Sequence, residues 1–152
     1  MMPSIEETVA LIRRAHAGQT DKSGADYALH PVAVMRRLPS WVDEAVFHAA
    51  LLHDVLEDTS FTRRELEGMG YDERVLDAVA LLTQSKDDSR SYAEKIAGLI
   101  ATGNRDALLV KFADMSENAD PVRLSRLDPE TQAKFVEKYT GPLEMLRAAA
   151  AS

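Results

Sequence analysis

Apolar positions along the chain recur at helical spacing and nowhere alternate over a useful length, so the pattern predicts helices and no sheet. Ser4 followed by Glu7 has the spacing of a capping box. Ile5, Val9, Ile12 and then Ala15 or His16 carry a first helix that ends near Gly18. The polar run from Gln19 to Asp26 has no period and predicts a loop. Tyr27-Ala28-Leu29-His30-Pro31 leads into a second helix, with His30 just before it and Pro31 in its first turn. Val32, Val34, Met35 and Leu38 form its apolar face, and Pro39-Ser40 stops it. A third helix is predicted from Asp43 to Glu57.

Thr62 with Glu65 repeats the capping-box spacing and opens a short helix ending at Gly68 or Gly70. Val75, Leu76, Val79 and Leu82 mark the next, followed by a charged loop from Ser85 to Ser89. Tyr92, Ile96, Leu99 and Ile100 mark another, closed by Gly103. Asp106 to Asn118 is the next, with Leu108, Leu109, Phe112 and Ala113 inward. Pro121 and Pro129 bracket an irregular or single-turn piece. Pro129-Glu130 opens a last helix, expected to be interrupted at Gly141-Pro142, with residues 146–152 as its frayed end. The expectation is an all-α, single-domain bundle over residues 1–152, of about six to eight helices.

Composition narrows the class. With 152 residues, 45% of them hydrophobic and only 6% aromatic, the chain suits a helical domain with a real core. A formal net charge of −7 argues against non-specific grip on nucleic acid. The chain has no cysteine, which excludes disulfides and thiolate ligands. Glu6 and Glu7 stand where a signal peptide would want lysine or arginine, and no apolar run approaches the roughly 18 residues that span a membrane. The expected setting is cytoplasmic, with no membrane partner. A homodimer is compatible with the pattern, although no stripe demands one.

The candidate chemistry centres on Ala49-Ala50-Leu51-Leu52-His53-Asp54-Val55-Leu56-Glu57-Asp58-Thr59. On a continuous helix His53 would share a face with Glu57, and Asp54 with Asp58. Three carboxylates that close repel one another, and a cation relieves them. Acids also sit badly at a helix C-terminus, where cations are favoured. The ordinary alternative is a solvated acidic helix end beside a satisfied histidine. Two further segments place hard ligands in apolar settings: His30, and Asp114 within Leu109-Val110-Lys111-Phe112-Ala113-Asp114. A salt bridge to Lys111 is the simple account of Asp114, because a buried aspartate must be paired or metal-bound. Together the two imidazoles and two carboxylates suit a divalent ion such as manganese, iron or zinc.

His30-Pro31, His53-Asp54, Glu57-Asp58-Thr59 and Lys111-x-x-Asp114-x-x-x-Asn118 occur in the order and spacing of the HD-domain metal-dependent phosphohydrolases. More narrowly, the sequence resembles the (p)ppGpp hydrolase domain of RelA/SpoT-type proteins and their small stand-alone relatives. The likeness runs from Ala15-His16 to Lys138-Tyr139-x-x-Pro142-Leu143. It implies an HD-type helical bundle in which His30, His53, Asp54 and Asp114 hold one divalent metal ion, usually manganese, with iron, zinc or cobalt as other candidates. Glu57 and Asp58 would activate water and handle protons, and Asn118 and Lys22 would contact a nucleotide substrate. One departure bears on substrate. The family carries an Arg-Lys pair in the loop before the first histidine, and here Thr20-Asp21-Lys22 supplies only the lysine.

Several residues stay open between two roles. His16 either complements the end of the first helix or supports the site. His48 reads as structural, Tyr139 as a core residue or a base-stacking one, and Arg13 and Arg14 as solvated or lining a phosphate entrance. Three functions compete: hydrolysis of an alarmone, hydrolysis of another nucleotide or phosphomonoester, and nucleotide binding without turnover.

Overall fold

The helix at the centre of the bundle is the one whose sequence is apolar nearly all round. The computed structural model describes residues 1–21 and 23–151, so the expectation placed on Lys22 lies outside the described residues. Along the chain run α1 (Ile5–Ala15), α2 (Leu29–Arg37), α3 (Glu44–Leu52), α4 (Val55–Asp58), α5 (Arg63–Gly68), α6 (Glu73–Leu82), α7 (Tyr92–Ala101), α8 (Arg105–Asn118), α9 (Pro121–Leu124) and α10 (Pro129–Ala150). Among the described residues no strand forms; an isolated bridge joins Thr20 to Asp26 across the first loop. Helix α3 packs on α1, α2, α6 and α8. It buries Ala45, Val46, Ala49, Ala50, Leu51 and Leu52. Each leucine so buried contributes about 1.5–3 kcal/mol.

Local signals place most of the ends. Ser4 with Glu7 and Thr62 with Glu65 form reciprocal capping boxes, and Ser91 with Glu94 forms a third. Gly103 follows α7 with φ +69, a left-handed turn that a side chain would resist. Val75, Leu76, Val79 and Leu82 are all buried, as their spacing predicts. The first helix differs: Thr8, Leu11 and Ile12 point inward, while Ile5 and Val9 pack at the edge of the core. His30 is the second residue of α2 rather than a residue preceding it.

The third helix is not continuous to Glu57. Its α-helical pattern stops where the carbonyl of Ala50, which would accept from the amide of Asp54, accepts instead from Nδ1 of His53 at 2.6 Å and from the His53 amide at 3.5 Å. Asp54 then lies at φ −106, ψ −1, and its own carbonyl accepts from the amide of Asp58 at 2.9 Å to start α4. The shared faces expected on one helix are therefore replaced by a corner. This split, together with a full turn of helix at α9, carries the segments past the expected six to eight.

The last helix runs unbroken through Gly141-Pro142. A proline there removes one backbone donor and presses its ring on the preceding residue. Gly141 has no Cβ for that ring to meet, and Lys138, whose carbonyl loses its donor, is exposed to water. Pro142 and Leu146 are buried. Of the stretch expected to fray, residues 146–150 lie within α10. Leu146 is fully enclosed, the Arg147 guanidinium lies over the Phe112 ring at 5.6 Å, and α10 continues to Ala150. Leu146→Ala is expected to lower stability by about 2–5 kcal/mol in urea denaturation, the cost of a cavity in a packed core. A loose terminus would leave the midpoint unmoved.

Candidate metal centre

Three elements meet beside the corner at His53-Asp54. His30 comes from the first turn of α2, and Asp114 from the inward side of α8. His30, His53 and Asp114 are buried and Asp54 is half-buried. One nitrogen or oxygen from each of His30, His53 and Asp54 lies within 4.8 Å of the other two. His53 Nε2 stands 3.0 Å from Asp54 Oδ2 and 3.6 Å from Asp114 Oδ1, and His30 Nε2 stands 2.7 Å from the same Asp114 oxygen. The structure thus brings together all four residues named from the sequence.

The donor set fits a divalent cation. Nδ1 of His53 donates to the Ala50 carbonyl, which leaves Nε2 as the lone-pair atom of the neutral ring. That Nε2 is buried and has no hydrogen-bond partner among the described residues. Burial opposes a charge on His53, yet Asp54 and Asp114 raise its pKa well above the ordinary imidazole value. Burial would likewise raise Asp114, but the charge of Lys111, the hydrogen bond from His30 and the nearby His53 ring hold it well below the usual carboxylate range. Asp54 is lowered too, against its burial, chiefly by His53. Two carboxylates kept ionised in a largely buried cluster demand positive charge, and a metal would displace the proton they draw onto the histidine.

Around this cluster lies a cavity of about 410 Å³. Its walls include Glu57, Asp58 and Asn118 from the sequence reading. Glu57 Oε1 accepts from the backbone amide of Gln84 at 2.6 Å, and Asn118 Nδ2 reaches Asp114 Oδ1 at 3.4 Å, one turn along α8. The salt bridge weighed for Asp114 is also present, with Lys111 Nζ 3.2 Å from Oδ2. Pairing and clustering are therefore not alternatives, since Asp114 has an oxygen for each.

Tyr27 escaped the sequence reading as a site residue. Its hydroxyl donates to Asp54 Oδ2, and burial with the Asp54 charge raises its pKa. Its place one turn before His30 was the available signal. His16, capping α1, is buried with its ring 5.0 Å from that of Tyr27. Its Nδ1 meets Gln19 Oε1 at 2.9 Å, and Gln19 donates to the Asp58 carbonyl at 2.9 Å. His16 therefore stands at a helix end and behind the cluster at once. His48 is structural: it meets Thr8 at 2.9 Å on the side where Thr8 also binds Tyr71. Arg13 and Arg14 are exposed and absent from the cavity walls. Tyr139 packs on Phe135 and Tyr92, with ring centres 4.2 and 4.7 Å away, and also faces the cavity.

The chain is similar to several known proteins. The family model of the HD domain matches residues 8–119. The guanosine-3′,5′-bis(diphosphate) 3′-pyrophosphohydrolase of Vibrio cholerae is 36% identical over 123 residues, 76% of this chain and 17% of that protein. The bifunctional (p)ppGpp synthase/hydrolase SpoT of Escherichia coli K12 is 36% identical over 122 residues, again 17% of its length. The chain thus spans about a sixth of these curated relatives. In fold it is similar to a metazoan orthologue of SpoT described as hydrolysing ppGpp, with a TM-score of 0.72 and 24% identity, covering 99% of this chain and 94% of the other.

One member of the site carries strain of charge that the metal-free protein should feel. Burial first, then Asp54 and Glu57, raise the pKa of Asp58 above the ordinary carboxylate value. The folded state therefore binds this proton more tightly than the unfolded one. Stability from this group is present at low pH and is lost as pH rises through the folded pKa. In metal-free protein, Asp58→Asn is expected to raise the urea midpoint at pH 7, with the gain shrinking as pH falls into the ordinary carboxylate range. A gain that grew on acidification would contradict this electrostatic account.

Proposed function

We propose that this chain, which belongs to the HD-domain family, is a divalent-metal-dependent phosphohydrolase acting on a nucleotide, with the 3′-diphosphate of (p)ppGpp as its leading substrate. The observation that carries the metal-dependent reading is the buried, unpartnered Nε2 of His53 facing two ionised aspartates. In this reading His30, His53, Asp54 and Asp114 hold one ion, manganese first, with iron, zinc or cobalt as other candidates. The substrate comes from the relatives, whose names carry that activity. The expected setting is the cytoplasm.

A bound divalent ion supplies the positive charge that lowers the pKa of water and offsets charge growing on a phosphoryl oxygen. The chain's own groups do the rest. Asp58, which lines the cavity beside the cluster, takes a proton from the attacking water. Glu57, fixed by the Gln84 amide, shares that role and cannot swing away without losing its hydrogen bond. Water's oxygen forms a bond to the phosphorus attached at the 3′ position. The bond from that phosphorus to the 3′ oxygen breaks, and the proton passes to the leaving oxygen. Asn118 offers an amide to the nucleotide, and Tyr27 fixes Asp54. Lys22 keeps its proposed substrate contact from the sequence.

Asp21 in place of the family's loop arginine favours a second reading, which keeps the metal and changes the nucleotide or phosphoester. Phosphate and diphosphate release from a nucleotide panel with manganese decides between them. Conversion of ppGpp to GDP and pyrophosphate supports the first, and activity on other esters alone supports the second. Binding without turnover under every metal tried would leave a silent nucleotide-binding module. Separately, Asp54→Ala is expected to lose the single equivalent of metal found in the parent protein by inductively coupled plasma analysis. Retention of that equivalent would overturn the ligand assignment.

A further inference from the structure

The cavity walls are richly acidic but hold few cations. Among the described lining residues the cations besides histidine are Lys111 and Arg123. Lys111 is committed to Asp114 at 3.2 Å. Arg123 is not committed in that way. Its Nη2 lies 3.5 Å from Asp21 Oδ2, too long for a well-made hydrogen bond, and its side chain makes no hydrogen bond among the described residues. Asp21 already accepts from the Ser23 amide at 2.8 Å, the Ser23 hydroxyl at 2.6 Å and the Ala25 amide at 3.1 Å. All three bonds fall on Oδ1; Oδ2 faces the guanidinium as an ion-pair partner at 3.5 Å, without a hydrogen bond between them.

The backbone that presents Arg123 is fixed. Asp120 caps α9, accepting from the amides of Val122 at 2.9 Å and Arg123 at 3.3 Å. Arg37 in turn holds Asp120 at 2.6 Å and Glu117 at 2.5 Å. The backbone that carries the guanidinium is therefore tied at the edge of the cavity that Arg123 lines. Beside it in the same cavity, Leu127, Phe135 and Tyr139 form an apolar and aromatic wall.

We propose that Arg123 is a specificity-determining residue that binds a phosphate of the nucleotide which is not cleaved, the 5′-phosphate group, while the base lies against the Phe135 and Tyr139 wall. This rests on the nucleotide reading above and deepens it. A ligand carrying negative charge at both ends needs a cation away from the metal cluster. Arg123 is the described cavity cation still able to give it a two-pronged hydrogen bond.

The test is calorimetric titration of the manganese-supplied chain with GDP and, separately, with guanosine, for the parent protein, Arg123→Ala and Arg123→Lys. Losing a charge-assisted pair, Arg123→Ala is expected to weaken GDP by about tenfold or more and guanosine by less than about twofold, with Arg123→Lys between. Equal weakening of both ligands, or none, would overturn the inference and reduce Arg123 to a tie for the first loop. Parent protein that neither binds GDP nor hydrolyses any nucleotide would end the nucleotide reading and this inference with it. Parent protein that turns nucleotide over while Arg123→Ala binds GDP unchanged would remove the inference alone.

Discussion

A carboxylate sunk into the middle of a helical bundle must be compensated on every side, and Asp114 is that carboxylate. One of its oxygens meets Lys111 and the other meets His30, with His53 and Asn118 close by. Each partner comes from an element that also supplies core: α2 brings Val34, α3 brings Leu51 and Leu52, and α8 brings Val110 and Met115. Moving any of these helices would cost apolar burial and leave a charge stranded in a low-dielectric interior. The packing and the polar cluster therefore enforce one another.

The same dependence explains the corner after α3. A helix continued through Asp54 would swing His53 and Asp54 about 100° apart around its axis. By giving the Ala50 carbonyl to the His53 ring, the chain ends the helix and lets the two side chains meet at 3.0 Å. The hydrogen bond that stops the helix also fixes which ring nitrogen faces the aspartates. Local backbone regularity gives way at the place where the site is built.

What the sequence displayed and what it concealed divide along the range of the forces involved. Capping at Ser4 and Thr62 depends on residues three apart, and it was legible. So was the inward face of α6, whose period needs no knowledge of its neighbours. The four clustered residues were named from spacing and family likeness, but their meeting required the fold. The corner at His53 was hidden because a side-chain contact overrides helical continuity. The persistence of α10 through Pro142 was hidden because the cost of a proline is relieved by Gly141 and by a buried ring. Arg123 gave no signal at all. It lies in a one-turn helix between prolines, and only the approach of Asp21 from a distant loop shows where it stands.

The unbroken course of α10 has a further consequence. One rod supplies Phe135 and Tyr139 to the cavity wall and the fully buried Leu146 to the core. Because Gly141-Pro142 does not act as a joint, the wall cannot peel away while the plug stays seated. An occupant of the cavity would then bind the docked rod and not the detached one. By mass action it would hold α10 closed, so that occupancy would be legible in the slowed exchange of amide protons along the rod's far end.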